Sequence, residues 1–143
     1  MSVDSLIDDF SFLDQWEDRY RFVIELGQNL DPLSEADHSP ATKVQGCVSQ
    51  VWIVSRVDDG GDGQPRLYFR GDSDAHIVRG LIAILLEIYN GKTPEDILAI
   101  DPKAIFHQLG LDEHLSPQRS NGLYSMVNRI RADAATYIAG ATP

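Results

Sequence analysis

Residues 43–54 read KVQGCVSQVWIV and contain the only cysteine of the 143-residue chain. Gly46 can adopt backbone angles that are closed to other residues, which suits a sharp turn. The β-branched and aromatic residues from Val51 to Val54 favour a strand. These features predict that Cys47 lies on a tight loop leading into a core strand. Loops held by a rigid scaffold often carry functional side chains.

The single cysteine has two interpretations. A lone cysteine is most often a small buried hydrophobic residue without a chemical task. Its neighbours Gln45, Ser49 and Gln50 are polar or small, however, which suits an accessible thiol. The local pattern therefore leaves both a structural and a reactive cysteine open.

Length and charge predict one soluble domain that spans residues 1–143. A chain of this length buries about 70% of its unfolded surface, so it can form a core without disulfides. The formal net charge is −10. A nucleic-acid partner is therefore not expected, because binding to phosphates needs a basic face. An anionic membrane surface is disfavoured for the same reason.

The cysteine count and the N-terminal residues predict a cytoplasmic protein. One cysteine excludes an intrachain disulfide and multi-cysteine zinc or iron–sulfur ligation within one chain. Residues 1–10 carry three aspartates and lack both an apolar core and a basic residue, which disfavours a secretory or transit signal. No apolar run approaches the length that spans a bilayer. We expect the thiol to stay reduced.

The first half of the chain predicts two helices and a small sheet. A short helix covers residues 5–12, and a second begins at Asp14, whose spacing to Glu17 matches a capping box. Period-two patterns predict strands at residues 43–45, 49–57 and 66–70. Together these form an antiparallel sheet of about three strands.

The second half is predicted to be helical. Ser73 or Asp74 begins a helix with an apolar stripe at Ile77, Leu81, Ile84, Leu85 and Ile88. Thr93-Pro94 and Asp101-Pro102 then each pair an N-cap with a first-turn proline. A turn at Ser116-Pro117 precedes a long helix from about Ser120. Helices that flank a short hairpin give the α+β class.

The sequence patterns for other kinds of chemistry are weaker. A cysteine hydrolase would pair Cys47 with a histidine, yet none of the four histidines is near it in sequence. Those histidines also lack the spacing of a metal site. The turn at residues 58–65 only superficially matches a calcium loop, because Gly60 and Phe69 occupy ligand positions. The residues alone thus indicate an α+β domain with one candidate reactive thiol.

The segment VQGCVSQVW at residues 44–52 resembles the signature of the SufE family, the sulfur acceptors of iron–sulfur cluster biogenesis. The resemblance continues through further blocks in the same order. They are residues 16–27, GDSDA at 71–75, IVRGLIA at 77–83, GL at 110–111, HLSP at 114–117 and RSNGL at 119–123. The match covers a core of about residues 13–134.

The resemblance implies a SufE/NifU-like fold and a sulfur-transfer function. Cys47 would accept persulfide sulfur from a cysteine desulfurase, stimulate that enzyme and pass the sulfur to a cluster scaffold complex. Pyridoxal phosphate would belong to the desulfurase, and this chain would need no cofactor or metal. NifU-type scaffolds use several cysteines as iron ligands, so one cysteine favours a carrier. The alternative is a non-catalytic binding module with a structural cysteine.

Four further residues are candidates for supporting or partner-contacting roles. Gly46 would let the loop move, and the polar Gln50 would not obstruct it. Arg119 would contact the partner or support the thiolate, or it is an ordinary surface arginine. The resemblance implies that Asp74 lies near the cysteine loop, although it could simply cap its helix.

Overall fold

The computed structural model describes residues 2–59, 61 and 63–140. The elements are α1 (Val3–Ser11), α2 (Trp16–Gln28), a short 3-10 helix (Glu35–Asp37), β1 (Val51–Asp59), β2 (Pro65–Ser73), α3 (His76–Tyr89), α4 (Pro94–Ala99), α5 (Pro102–Gln108), α6 (Leu111–His114) and α7 (Pro117–Ile138). The predicted α+β class is confirmed. None of the helices in these ranges is both long and apolar enough to cross a bilayer.

The described residues form a two-stranded sheet rather than one of about three strands. β1 and β2 pair antiparallel, from Val51 opposite Ser73 to Asp59 opposite Pro65. The predicted strand at residues 43–45 is reduced to one bridge, between Lys43 and Trp52. The chain turns sharply at Gly46, which has a φ of 90°, so the pairing cannot continue.

Helix α3 is the centre of the core. Its predicted stripe is confirmed, since Ile77, Leu81, Ile84, Leu85 and Ile88 are each at most 3% exposed. Further residues on its other sides are also buried: Val78, Ile82 and Tyr89. A helix that is apolar on most sides must be covered on most sides. Helices α1, α2 and α7 and strand β2 all pack against it.

Two predicted helix caps, Thr93 and Asp101, are confirmed. Each accepts a backbone N–H from the first turn of its helix and is followed by proline. Ser116, predicted only as a turn before the long helix, is a third cap of the same kind. Ser116 therefore begins α7 directly, at Pro117 rather than near Ser120.

Two other predicted caps are wrong. Helix α2 begins after Gln15, not Asp14, and no side chain caps it. Helix α3 begins after Ala75, which is two residues beyond Ser73 and one beyond Asp74, the two predicted caps. The Asp74 carboxylate is instead occupied by a backbone N–H from Gln50. A tertiary contact thus replaces the expected local one.

His38 attaches the segment before the cysteine loop to the sheet. Its Nδ1 lies 2.8 Å from the Ser34 carbonyl oxygen, and its Nε2 lies 2.9 Å from Asp72 Oδ2 on β2. Both ring nitrogens face acceptors, which favours the doubly protonated imidazolium. The hydrogen bond to Asp72 accordingly raises the pKa of His38 above its ordinary value. The ring edge also packs on Trp52.

Helices α2 and α3 cross at two glycines. A Cβ at Gly80 would collide with the Val23 carbonyl oxygen, and one at Gly27 would lie 2.6 Å from the Gly80 nitrogen. Both contacts would be shorter than the van der Waals distance, and the atoms in the way belong to the backbone. The two helices therefore approach as closely as their main chains allow.

We predict that Gly80→Ala lowers the free energy of unfolding by about 2–3 kcal/mol, because the new methyl group overpacks this crossing. The matched control is Gly122→Ala on α7, whose Cβ would meet Cys47 Sγ at an ordinary 3.7 Å. Alanine is about 1 kcal/mol better than glycine inside a helix, so this control should hold or gain stability. Urea denaturation measures both, and an unchanged midpoint for Gly80→Ala contradicts the tight crossing.

Candidate functional site

Cys47 lies on a loop between Val44 and β1, as the sequence predicted. Gly46 is required there for two reasons. Its φ of 90° is in the left-handed region, which strains side chains with a Cβ. A Cβ at this position would also lie only 2.5 Å from Ser125 Oγ on α7. Glycine therefore avoids both the backbone strain and the close contact at this turn.

The Cys47 thiol is half-buried and faces α7. Its Sγ lies 3.6 Å from the Gly122 carbonyl oxygen, to which the S–H donates a weak hydrogen bond. The next residue, Val48, is 81% exposed. The loop thus turns its thiol inward and its valine outward.

The thiol lines a pocket of about 180 Å³ between the loop, α3 and α7. One wall is apolar and consists of Val51, Val78, Leu81, Leu123 and Met126. The rim is polar and includes Ser49, Ser116, Gln118 and Arg119. The pocket combines apolar shelter for sulfur with a polar, accessible edge.

Burial raises the pKa of the Cys47 thiol above its ordinary value. Removal from water disfavours the charged thiolate. In this resting conformation the thiol is therefore protonated at neutral pH. Reactivity requires either movement of the loop or a nearby positive charge.

Arg119 is brought to the rim of this pocket. Its backbone N–H donates to Ser116 Oγ in the N-terminal turn of α7. Across residues 2–59, 61 and 63–140, its guanidinium forms no hydrogen bond or ion pair. It exerts no resolved influence on the pKa of Cys47, which burial alone raises. The Arg119 side chain is thus positioned beside the site with its donors available.

Asp74 and Gln50 hold the far end of the loop. The Gln50 N–H donates to Asp74 Oδ1 at 3.0 Å, and the Asp74 N–H donates back to the Gln50 carbonyl at 3.3 Å. Gln50 makes this contact through its backbone, and the residue as a whole is exposed. Asp74 therefore joins the start of β1 to the β2–α3 junction.

Sequence reasoning missed the contribution of α7 to the loop. Gly122 accepts the thiol hydrogen bond, and Ser125 Oγ lies 3.5 Å from the Gly46 carbonyl oxygen. These residues are three apart, so they share one helix face. The spacing is visible in the sequence, but it does not show that this helix face lies beneath the cysteine loop.

The histidines lie in other contacts. His38 bonds to Asp72, His107 lies 2.8 Å from Asp112, and His114 stacks on Trp16. His76 is exposed at the start of α3. The cysteine-hydrolase interpretation thus gains no supporting contact. Within the described ranges, no three histidine, cysteine or acidic side chains converge on a possible metal position.

The SufE family model, described as an Fe-S metabolism associated domain, matches residues 4–134. The chain belongs to the SufE family. The resemblance inferred from the sequence blocks is therefore confirmed. Membership supports a role in iron–sulfur cluster assembly.

Two similar proteins are both described as uncharacterized SufE-like proteins. One, from Rhizobium meliloti (strain 1021), is 56% identical over 134 residues, which are 93% of this chain and 94% of the relative. The other, from Rhizobium etli, is 57% identical over 133 residues, 93% of this chain and 89% of the relative. The similarity includes nearly the whole SufE domain.

We predict that alkylation of native Cys47 by iodoacetamide has a pH midpoint above that of the same chain unfolded in urea. The reason is that burial raises the pKa of the folded thiol, so less thiolate is present at each pH below that midpoint. Intact mass spectrometry measures the rate, with Cys47→Ser as the blank. A native midpoint at or below the unfolded one contradicts the sheltered thiol.

Proposed function

We propose that this chain is a sulfur acceptor in iron–sulfur cluster assembly. It takes persulfide sulfur from a pyridoxal-phosphate-dependent cysteine desulfurase onto Cys47 and passes it to a cluster scaffold complex in the cytoplasm. The observation that carries the proposal is the single cysteine, held weakly on a glycine turn beside an apolar pocket in a SufE domain.

The chemistry is a thiol exchange that needs no added oxidant or reductant. Cys47 first loses its proton, and its thiolate attacks the terminal sulfur of the donor persulfide. A new S–S bond forms on Cys47 while the S–S bond of the donor breaks. The donor cysteine leaves as a thiolate and takes up a proton. One sulfur atom has then moved, and the desulfurase is ready for another turnover.

The resting geometry indicates which part of the loop must move. The thiol faces inward, so it has to swing out to meet a persulfide held in another protein. The loop makes two weak contacts with α7: the thiol lies 3.6 Å from the Gly122 carbonyl oxygen, and the Gly46 carbonyl oxygen lies 3.5 Å from Ser125 Oγ. Val44 and Val51 are both buried and joined by a backbone hydrogen bond of 2.8 Å. Residues 45–49 are therefore the mobile segment.

The pocket offers a place for the sulfur once it is loaded. Its volume of about 180 Å³ exceeds the space of a single water, which occupies about 30 Å³ in the liquid. Its wall consists of apolar side chains around Leu123 and Met126. A returned loop would shield the outer sulfur from water and stray thiols.

The alternative is a binding module whose cysteine is structural. Half-burial and the raised pKa of Cys47 favour it. The two functions differ in the native state. A carrier thiol is alkylated without unfolding because residues 45–49 open locally, whereas a structural thiol reacts only when the chain unfolds.

We predict that Cys47→Ser abolishes persulfide loading and leaves the fold unchanged. The purified chain is incubated with a cysteine desulfurase and free cysteine, and intact mass spectrometry detects the gain of one sulfur atom. Wild-type chain alkylated beforehand at Cys47 is the matched control and should also fail to load. Circular dichroism checks folding. A sulfur adduct that persists on the serine variant refutes the assignment.

We predict that Arg119→Ala raises the chain concentration needed for half-maximal desulfurase stimulation by about tenfold. A desolvated arginine at a protein interface is worth about 1–2 kcal/mol or more. Arg56→Ala is the matched control, because Arg56 bonds to Asp58 and covers Tyr68 away from the cysteine end of β1. Stimulation that is equal for both variants at every concentration excludes a role for Arg119.

A further inference from the structure

One face of α7 supports the cysteine loop along its whole length. Gly122, Ser125, Arg129 and Asp133 follow spacings of three, four and four residues, which place them on one side of the helix. Gly122 and Ser125 contact the moving part of the loop. Arg129 and Asp133 continue this line toward the segment that leads into the loop, which we call the stem (residues 41–44).

The stem runs from a turn at Ala41 and Thr42 to a single bridge between Lys43 and Trp52. Towards β1, Val44 N–H donates to the Val51 carbonyl and Ile53 N–H donates to the Thr42 carbonyl. Among the described residues, no backbone N–H donates to the carbonyls of Ala41 and Lys43. Without a side-chain donor these two carbonyls would lack a protein partner.

Arg129 donates hydrogen bonds to both of these carbonyls. Its Nη2 donates to the Ala41 carbonyl at 2.8 Å, and its Nη1 reaches the Lys43 carbonyl at 3.4 Å. The planar guanidinium presents two donors in a fixed fork, a geometry that lysine cannot reproduce. Arg129 thus joins two carbonyls of the stem to α7.

Arg129 is itself fixed by a buried partner. Its Nε donates to Asp133 Oδ1 at 3.3 Å, and the side chain of Asp133 is only 14% exposed. The other carboxylate oxygen of Asp133 accepts from Ser55 Oγ on β1 at 3.1 Å. The stem, α7 and β1 are therefore connected through one network of hydrogen bonds.

We propose that Arg129 is a positioning residue that fixes the stem, so that the loop opens from residue 45 and no earlier. Opening that is confined in this way returns the thiol to the same pocket and presents it to a partner along the same path. Its importance for sulfur transfer rests on the proposed function, but the positioning itself is a property of the chain alone.

The test compares Arg129→Ala, Arg129→Lys and Arg131→Ala by the rate at which native Cys47 is alkylated. Arg131 lies on the same helix and donates to the Leu98 carbonyl, away from the stem, so it is the matched control. Arg129→Ala should raise the rate about tenfold, as expected for the loss of a hydrogen bond from a charged donor. Arg129→Lys should recover part of this increase, and Arg131→Ala should leave the rate unchanged.

The urea dependence of the rate separates positioning from general destabilisation. Local opening exposes little surface, so the faster reaction of Arg129→Ala should depend only weakly on urea. Hydrogen exchange should also accelerate at the Val44 and Ile53 amides. A rate that does not change, or that rises only with the steep urea dependence of global unfolding, overturns the proposal.

The outcome is independent of sulfur transfer because alkylation needs no desulfurase. If wild-type chain accepts no sulfur while Arg129→Ala still reacts faster, the proposed function fails and the positioning role holds. If wild-type chain accepts sulfur and the alkylation rate of Arg129→Ala is unchanged, the positioning role alone fails.

Discussion

The burial of α3 on nearly every side is the constraint on which the rest of the structure depends. Each fully buried aliphatic side chain contributes about 1.5–3 kcal/mol, and α3 supplies many of them. A helix of this kind needs α2 at the glycine crossing, the sheet on another side and α7 on a third. The cysteine loop spans the gap between the last two. The elements around the loop are therefore fixed by the core, although the loop itself is held only by weak contacts.

The loop combines firm ends with a weakly held centre. The stem is fixed by backbone bonds to β1, and Gln50 is fixed by a charged acceptor on Asp74. Between them, the thiol and the Gly46 carbonyl make only long contacts with α7. Regions with few strong contacts open at low free energy without unfolding the rest of a domain. The movement that we propose for this loop is thus local.

The sequence was informative wherever local chemistry decides the structure. The stripe of α3 and the caps at Thr93 and Asp101 depend on residues within one or two turns, and all were predicted correctly. The predicted caps at Asp14 and Asp74 were wrong. Helix α2 follows Gln15 and has no side-chain cap. Asp74 accepts from a residue 24 positions away, which no local pattern can indicate. The third strand failed because its length depends on where Gly46 turns the chain.

The candidate site was predictable only in part. Cys47 on a glycine turn follows from a few neighbouring residues, and the structure has that turn. The pocket and the contacts from Gly122 and Ser125 require knowing that α7 lies beneath the loop, which is a property of the packed core. The position of Arg119 at the rim of the pocket also depends on tertiary packing, so it could not be predicted from its spacing to Cys47.

The shelter of the thiol has a consequence for oxidative damage. Peroxide attacks the thiolate, so a protonated and half-buried cysteine forms sulfenic acid slowly. The chain has no second cysteine that could resolve such a lesion as an internal disulfide. Repair would depend on outside thiols such as glutathione reaching the same rim. Keeping the loop closed between encounters is therefore the chain's own protection against irreversible overoxidation.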